Sequence, residues 1–205
     1  MSPSLTIRSS LALITTLAFL SSLLVDVSAA PPLPPTPQSK IFARDGASYG
    51  FFGTSLANAG NLLAVSAPAD DIHGSVYLFE SDPEHTIWRQ KDKVSNPGLK
   101  LPVPHVNQFG MSITMNEDFL FVSAASEKAP GNPTAGAVYA YDLNKPLGEK
   151  PTQKLTAFED DYADYFGFGY CMQASRSLLI IGTLANLGST SGKATIFKFN
   201  AELGL

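Results

Sequence analysis

From residue 39 onward the chain alternates short apolar runs with polar segments rich in turn residues, and the runs recur in register. Leu62-Leu63-Ala64-Val65, Phe119-Leu120-Phe121-Val122 and Leu178-Leu179-Ile180-Ile181 each follow a Phe-Gly pair. The pairs Phe52-Gly53, Phe109-Gly110 and Phe166-Gly167 stand 57 and 57 residues apart. Such self-similarity marks a repeat architecture. A third matching segment follows a loop of variable length, as Gly74–Phe79, Gly136–Tyr141 and Gly192–Phe197. A fourth segment precedes each Phe-Gly: Lys40–Ala43, Trp88–Val94 and Gln153–Ala157. Its alternation of polar and apolar residues predicts an outer strand with one wet face.

Each repeat therefore holds about four short strands, which leaves no room for helices. The second strand carries bulky residues at consecutive positions, so both of its faces need cover. Stacked four-stranded antiparallel meanders meet that need, and the expected fold is all-β. It consists of three β-propeller blades in an incomplete or oligomer-completed propeller, with a β-sandwich as the alternative.

The residues that repeat also resemble a known family. Phe52-Gly53-Thr54-Ser55-Leu56-Ala57, then Leu62–Pro68, then Gly74–Phe79 is similar to an FG-GAP repeat, the blade of integrin α-chain propellers. The second copy keeps Phe109-Gly110-Met111-Ser112 and Val122-Ser123-Ala124, with Ala125 in place of proline. The third keeps Phe166-Gly167 and Ile181-Gly182, with Thr183-Leu184 where Ala-Pro would stand. The resemblance implies a propeller and, by analogy, a role in adhesion. Many such repeats place a calcium loop of the type Asp-x-Asp-x-Asp-Gly between the first two strands. The intervals Asn58–Asn61, Met115–Asp118 and Gln173–Arg176 are too short and too poor in carboxylates for one, so the resemblance is to the metal-free variety.

The N-terminus changes the picture by adding a compartment. Arg8 precedes a run from Leu11 to Val25, broken by hydroxyl residues and followed by Val27-Ser28-Ala29-Ala30, the layout of a secretory signal peptide. The run falls short of the roughly 20 apolar residues that a span requires. Residues 1–29 are expected to be the signal peptide, with no stable membrane span after its cleavage, and 30–38 a proline-rich linker. Residues 39–205 form the repeats, at about 39–94, 95–157 and 158–199. The single Cys171 cannot form a disulfide within the chain and is read as a buried small hydrophobe.

A formal charge of −4 with scattered basic residues offers no stripe for a phosphate backbone, which argues against nucleic acid. Two acidic clusters are the candidates for chemistry: Asp70-Asp71-Ile72-His73, and Glu159-Asp160-Asp161 with Asp164. Of these, Asp70, Asp71 and His73 are weak candidate cation ligands, since a lone His lacks the partners that a zinc site needs. The expectation is no metal site and no cofactor. His85 and His105 show no acid/base pairing. No nucleophile elbow, P-loop or dinucleotide fingerprint occurs, so no catalytic residue is assigned and the chain is read as a non-enzyme. Tyr77, Tyr139 and Tyr141 are read as blade packing, and the Phe-Gly residues as structural.

The expected function is a secreted interaction or adhesion-like module, which binds an extracellular protein or glycan through loops 68–74 and 125–136. The alternatives are a secreted hydrolase or an enzyme's accessory domain using the acidic loops, and a structural matrix or wall component. Three blades fall below the four to eight of a closed ring. Truncation of a longer propeller, or self-association through exposed blade faces, is expected to follow.

Overall fold

The computed structural model describes residues 39–71, 73–98, 108–128, 135–147, 150–157, 165–185 and 191–198. The chain divides into two units, Met1–Gln38 and Ser39–Leu205, and every described residue lies in the second. The signal-peptide and proline-rich segments, His105 and the Glu159–Asp164 cluster lie outside the described residues.

All regular structure among the described residues is strand. The first sheet runs β1 (Leu56–Ala59), β2 (Leu62–Ala67), β3 (Ser75–Ser81), β4 (Trp88–Ser95). The second runs β5 (Phe109–Met115), β6 (Phe119–Ala124), β7 (Ala137–Asp142), β8 (Gln153–Thr156). The third holds β9 (Tyr165–Ala174), β10 (Leu178–Ala185) and β11 (Lys193–Lys198). Each is an antiparallel meander in chain order, and β1, β5 and β9 are successive neighbours along the inner edge.

The alternation along each strand sends residues to two different interfaces. From the first sheet, Ala64, Val76, Leu78 and Val94 pack with Ile113, Leu120, Val122, Tyr139 and Tyr141 of the second. From the second, Phe119, Phe121, Val138 and Ala140 pack with Phe168, Leu179 and Ile181 of the third. Consecutive apolar residues in β6 are thus buried on both sides, the two-faced burial that the sequence demanded. Among the described residues the architecture is a set of propeller blades without ring closure.

Two expectations change. The third sheet has three strands among the described residues, because its chain is described only as far as β11. The fourth strand closes the sheet of the Phe-Gly before it, so Trp88 opens β4 of the first sheet, within the repeat bounds of 39–94. Lys40–Ala43 is not a strand. Its Ile41 and Ala43 pack against the first sheet's outward residues Val65, Tyr77 and Phe79. The Arg44 N–H donates to the Gln90 Oε1 of β4 at 2.9 Å, which holds that cover in place.

The Phe-Gly pairs serve as the seats between blades. A Cβ on Gly110 would touch Ser66 Cβ at 3.2 Å and Val76 Cγ2 at 3.3 Å in the first sheet. In the third sheet the matching contacts belong to Gly169: its Cβ would meet Val138 Cγ2 at 2.8 Å and Ser123 Cβ at 2.9 Å. Its neighbour Phe168 is buried and packs edge-on against Phe197, as Phe109 packs with Tyr139 and Phe52 with Tyr77. The structural third pair is therefore Phe168-Gly169, and the Phe166-Gly167 named from spacing stands two residues too early. Close approach to the Ser123–Val138 seat selects a glycine, and the sequence Phe166-Gly167-Phe168-Gly169 offers two in the same phase.

Each seat has a hydroxyl anchor. The Ser55 N–H donates to Ser66 Oγ and the Ser112 N–H to Ser123 Oγ, both at 2.9 Å. Removing the acceptor leaves a half-buried amide without its partner. Ser123→Ala is expected to cost about 1–2 kcal/mol in urea unfolding, with an unchanged urea dependence showing that the native fold is retained.

Cys171 corrects another reading: it is exposed. It lies opposite Gly182 on the third sheet's outward face, where no further blade packs among the described residues.

Candidate interaction face

The loops after β2 and β6 emerge at one end of successive sheets. Each begins with a turn in which the N–H of an acidic residue returns to an alanine carbonyl, Asp70 to Ala67 at 3.0 Å and Glu127 to Ala124 at 2.9 Å. Each ends where a glycine N–H donates to the carbonyl of that same acid, from Gly74 and from Gly136. The acid thus closes the loop at its base, whatever the length of the tip.

Below the turn the acid meets a tyrosine and a lysine from the next two strands. The Tyr77 hydroxyl donates to Asp70 Oδ2 at 2.7 Å, and Lys93 Nζ lies 2.9 Å from the same oxygen. The Tyr139 hydroxyl donates to Glu127 Oε2 at 2.7 Å, and Lys154 pairs with Glu127 Oε1. The register is the same in both sheets, with Tyr77 opposite Lys93 and Tyr139 opposite Lys154. Each ammonium also sits over the tyrosine ring, at 5.0 Å in the first sheet and 5.5 Å in the second. The third sheet has Thr195 at the tyrosine position, and no such cluster forms there among the described residues.

The first cluster is the more elaborate. Asp70 is fully buried, and its Oδ1 accepts the Ala47 N–H at 2.9 Å, which fixes the segment leading to the first Phe-Gly. Lys93 also reaches Asp71 at 2.8 Å and Asp45 at 3.2 Å. Burial would raise the Asp70 carboxyl, but the bonds from Tyr77, Ala47 and Lys93 prevail and hold it below the usual carboxylate value. Burial, and then the bond to Asp70, pushes the Tyr77 phenol up to about 12. Lys93 is desolvated, yet Asp71 and Asp70 outweigh that and strengthen its hold on the proton. In the second sheet, burial followed by the bond to Glu127 raises Tyr139 well above the ordinary phenol.

These geometries revise the reading of Asp70, Asp71 and His73. Asp70 and Asp71 do come together, but around the ammonium of Lys93, and Asp70 is a buried anchor where an exposed loop charge was expected. His73 contributes its backbone carbonyl, which accepts from Asn96 Nδ2 at 3.4 Å. Among the described residues no group of three or more His, Cys, Asp or Glu side chains gathers as metal ligands. His85 contacts Ser81 through Nδ1 at 2.8 Å and stacks on Trp88, away from this face. Tyr139 and Tyr141 pack between the first and second blades and Tyr77 beneath Ile41 and Ala43 on the first blade's other face, all as blade packing, and burial raises the Tyr141 phenol strongly.

Sequence reasoning missed the role of Glu127, Lys93 and Lys154. The signal was present as Gly-x-x-Tyr at Gly74–Tyr77 and Gly136–Tyr139, with an acid three residues after Ala67 and Ala124. Unequal loop lengths between acid and glycine concealed the match.

Blades seated on a Phe-Gly turn and closed by a buried acid define the class as a β-propeller repeat protein. Residues 35–79 match the family model described as the FG-GAP repeat, so this segment of the chain is similar to that repeat. No curated protein matches the chain significantly. Among the described residues no helix is long and apolar enough to cross a membrane.

Proposed function

We propose that the chain is a secreted, non-enzymatic module that binds an extracellular protein or glycan, in the manner of an adhesion domain, through the loops after β2 and β6. The observation that carries this reading is the repeated acid–tyrosine–lysine cluster. It fixes both loop bases at the same place on successive blades, so the tips can differ in length and chemistry at no cost to the blade. Preorganised loops on a rigid scaffold are the usual place for recognition. The carboxylates of the first loop base are already engaged by Tyr77 and Lys93, which supports binding over acid/base chemistry.

The test uses the purified full chain on arrays of glycans and extracellular proteins. Asp71→Ala with His73→Ala is expected to weaken capture by at least about tenfold, while stability moves by less than about 1 kcal/mol because both sites are on the loop surface. Capture that persists in the double variant removes the loop face from the account. Hydrolase activity that disappears with Asp71→Ala would favour an enzyme instead. Secreted protein is expected to begin near Ala30, and a cell-retained chain with residues 1–29 intact would refute export.

A further inference from the structure

Equivalent positions in the three sheets follow from strand register: Leu62, Phe119 and Leu178 correspond, as do Ala64, Phe121 and Ile180, and Leu78, Ala140 and Ile196. In the first two sheets the next blade covers the last two sets completely. In the third, Ile180 is 38% and Ile196 64% exposed. The seat built by Ser66 with Val76, and again by Ser123 with Val138, has its third version in Gly182 with Ala194, and among the described residues no glycine of another sheet is pressed into that seat.

The other end of the described unit carries the complementary piece. Gly110 and Gly169 are each pressed into a seat, whereas a Cβ on Gly53 would meet nothing within 4 Å. Leu56, three positions after Gly53, holds the place of Ile113, three after Gly110, but is 63% exposed where Ile113 is 4%. A third match concerns the outer strand. Val94 of β4 shares a cluster with Tyr139 and Tyr141 of the next sheet. Ile41 and Ala43 share one with Tyr77 and Phe79, the corresponding pair. The segment before the first sheet therefore occupies the place of a preceding blade's fourth strand, the strand that the third sheet lacks among the described residues.

The geometry points to a second copy of this chain as the occupant of the third sheet's face. The first Phe-Gly turn of each copy seats on Gly182 and Ala194 of the other, and segment 39–43 runs beside β11. The interface is head-to-tail, and such interfaces close when the rotation completes a circle. Propellers close at about four to eight blades, so two copies that each contribute the three described blades make a ring of six, while three copies overshoot. This association is independent of what the loops bind.

Light scattering coupled to size exclusion on the full chain at roughly micromolar concentration, typical of specific protein pairs, is expected to give twice the monomer mass of 21.8 kDa, less any cleaved leader. Ile180→Asp on the socket and Leu56→Asp on the plug each place a charge in an apolar contact and are expected to weaken association at least about 100-fold. Both positions are exposed in the single chain, so circular dichroism should show an unchanged fold. Mixing the two variants restores one of the two junctions, and partial recovery of dimer is expected. Cys171 on the same face gives a second readout, with thiol labelling at least about tenfold faster in either variant, as expected for a site freed from a specific interface. A wild-type monomer, a mass beyond the dimer, or a dimer indifferent to Leu56→Asp would overturn the proposal. The last result would show the third sheets pairing with one another.

Discussion

Gly136→Ala is expected to lower the stability of the described unit by about 4 kcal/mol. Gly136 holds φ at +84° at the base of the second loop. A Cβ there would stand 2.5 Å from the Phe168 carbonyl oxygen and 2.6 Å from its nitrogen, both backbone atoms of the next blade. The left-handed backbone costs about 1–2 kcal/mol for alanine. The remainder is the separation of two packed sheets, because a backbone obstacle cannot swing away as a side chain does. Gly60→Ala separates the two contributions. Gly60 also has a positive φ, but a Cβ there would meet no atom within 4 Å, and its expected cost is only about 1 kcal/mol. Urea unfolding of both variants checks the difference. Equal losses would show that the φ penalty alone operates and that the blades do not press on each other at this point.

The second large effect belongs to Asp70→Ala, expected to cost about 3–4 kcal/mol near neutral pH. The substitution strips acceptors from the Tyr77 hydroxyl and the Ala47 N–H, and it leaves Lys93 with the more exposed Asp71 and Asp45 alone. Asp70→Asn keeps an acceptor for Tyr77 but removes the charge, and should fall between wild type and alanine. The pH dependence has a definite sign. Because the folded state lowers the Asp70 pKa below 3.8, its contribution is complete above the ordinary carboxylate range. It disappears as pH falls through the lowered value. The gap between wild type and Asp70→Ala should therefore narrow below about pH 4, near the ordinary Asp pKa, and urea midpoints across acidic pH would detect this. Tyr77 works at the alkaline end. Its folded pKa is raised from 10.0 to about 12, so its contribution is complete below 10 and is lost as pH rises toward 12. Ultraviolet titration of the tyrosinates should show this group ionising earlier in Asp70→Ala. A midpoint gap that stays constant through the acid range would remove Asp70 as the titrating anchor.

Both experiments act on loop bases, and together they distinguish two functions of the same segment. Gly136 sets how closely successive blades approach, while Asp70 sets where the loop leaves its blade. A loop tip can then vary freely between two fixed ends, which is why the recognition reading rests on the bases and the binding test on the tips.

The blade itself was legible in the chain. Consecutive apolar residues at Phe119–Val122 demanded cover on two faces, the period of the Phe-Gly pairs supplied the repeat, and both follow from side-chain chemistry that is local to each strand. Polar alternation in Trp88–Val94 likewise identified an outer strand, and the repeat bounds placed it in the first blade. A strand's partner is fixed by pairing, and the sequence pattern states only which of its faces is wet.

Other features depend on atoms distant in sequence. Spacing favoured Phe166-Gly167, but the choice of Phe168-Gly169 was made by Ser123 and Val138, whose surface admits a glycine at one position only. Asp70 looked like a solvated loop charge because its neighbour Asp71 is one. Its burial is decided by Tyr77, Lys93 and the Ala47 amide, which converge only when three separate segments meet. Cys171 sits in an apolar run that suggested a core, yet its exposure follows from which side of β9 has a neighbouring blade. The sequence by itself determined strands, their period and the need of the middle strands for cover on both faces. The tertiary structure alone decided which glycine is seated, which carboxylate is buried and which face is left open, because each of these is a property of a contact between segments and not of any segment alone.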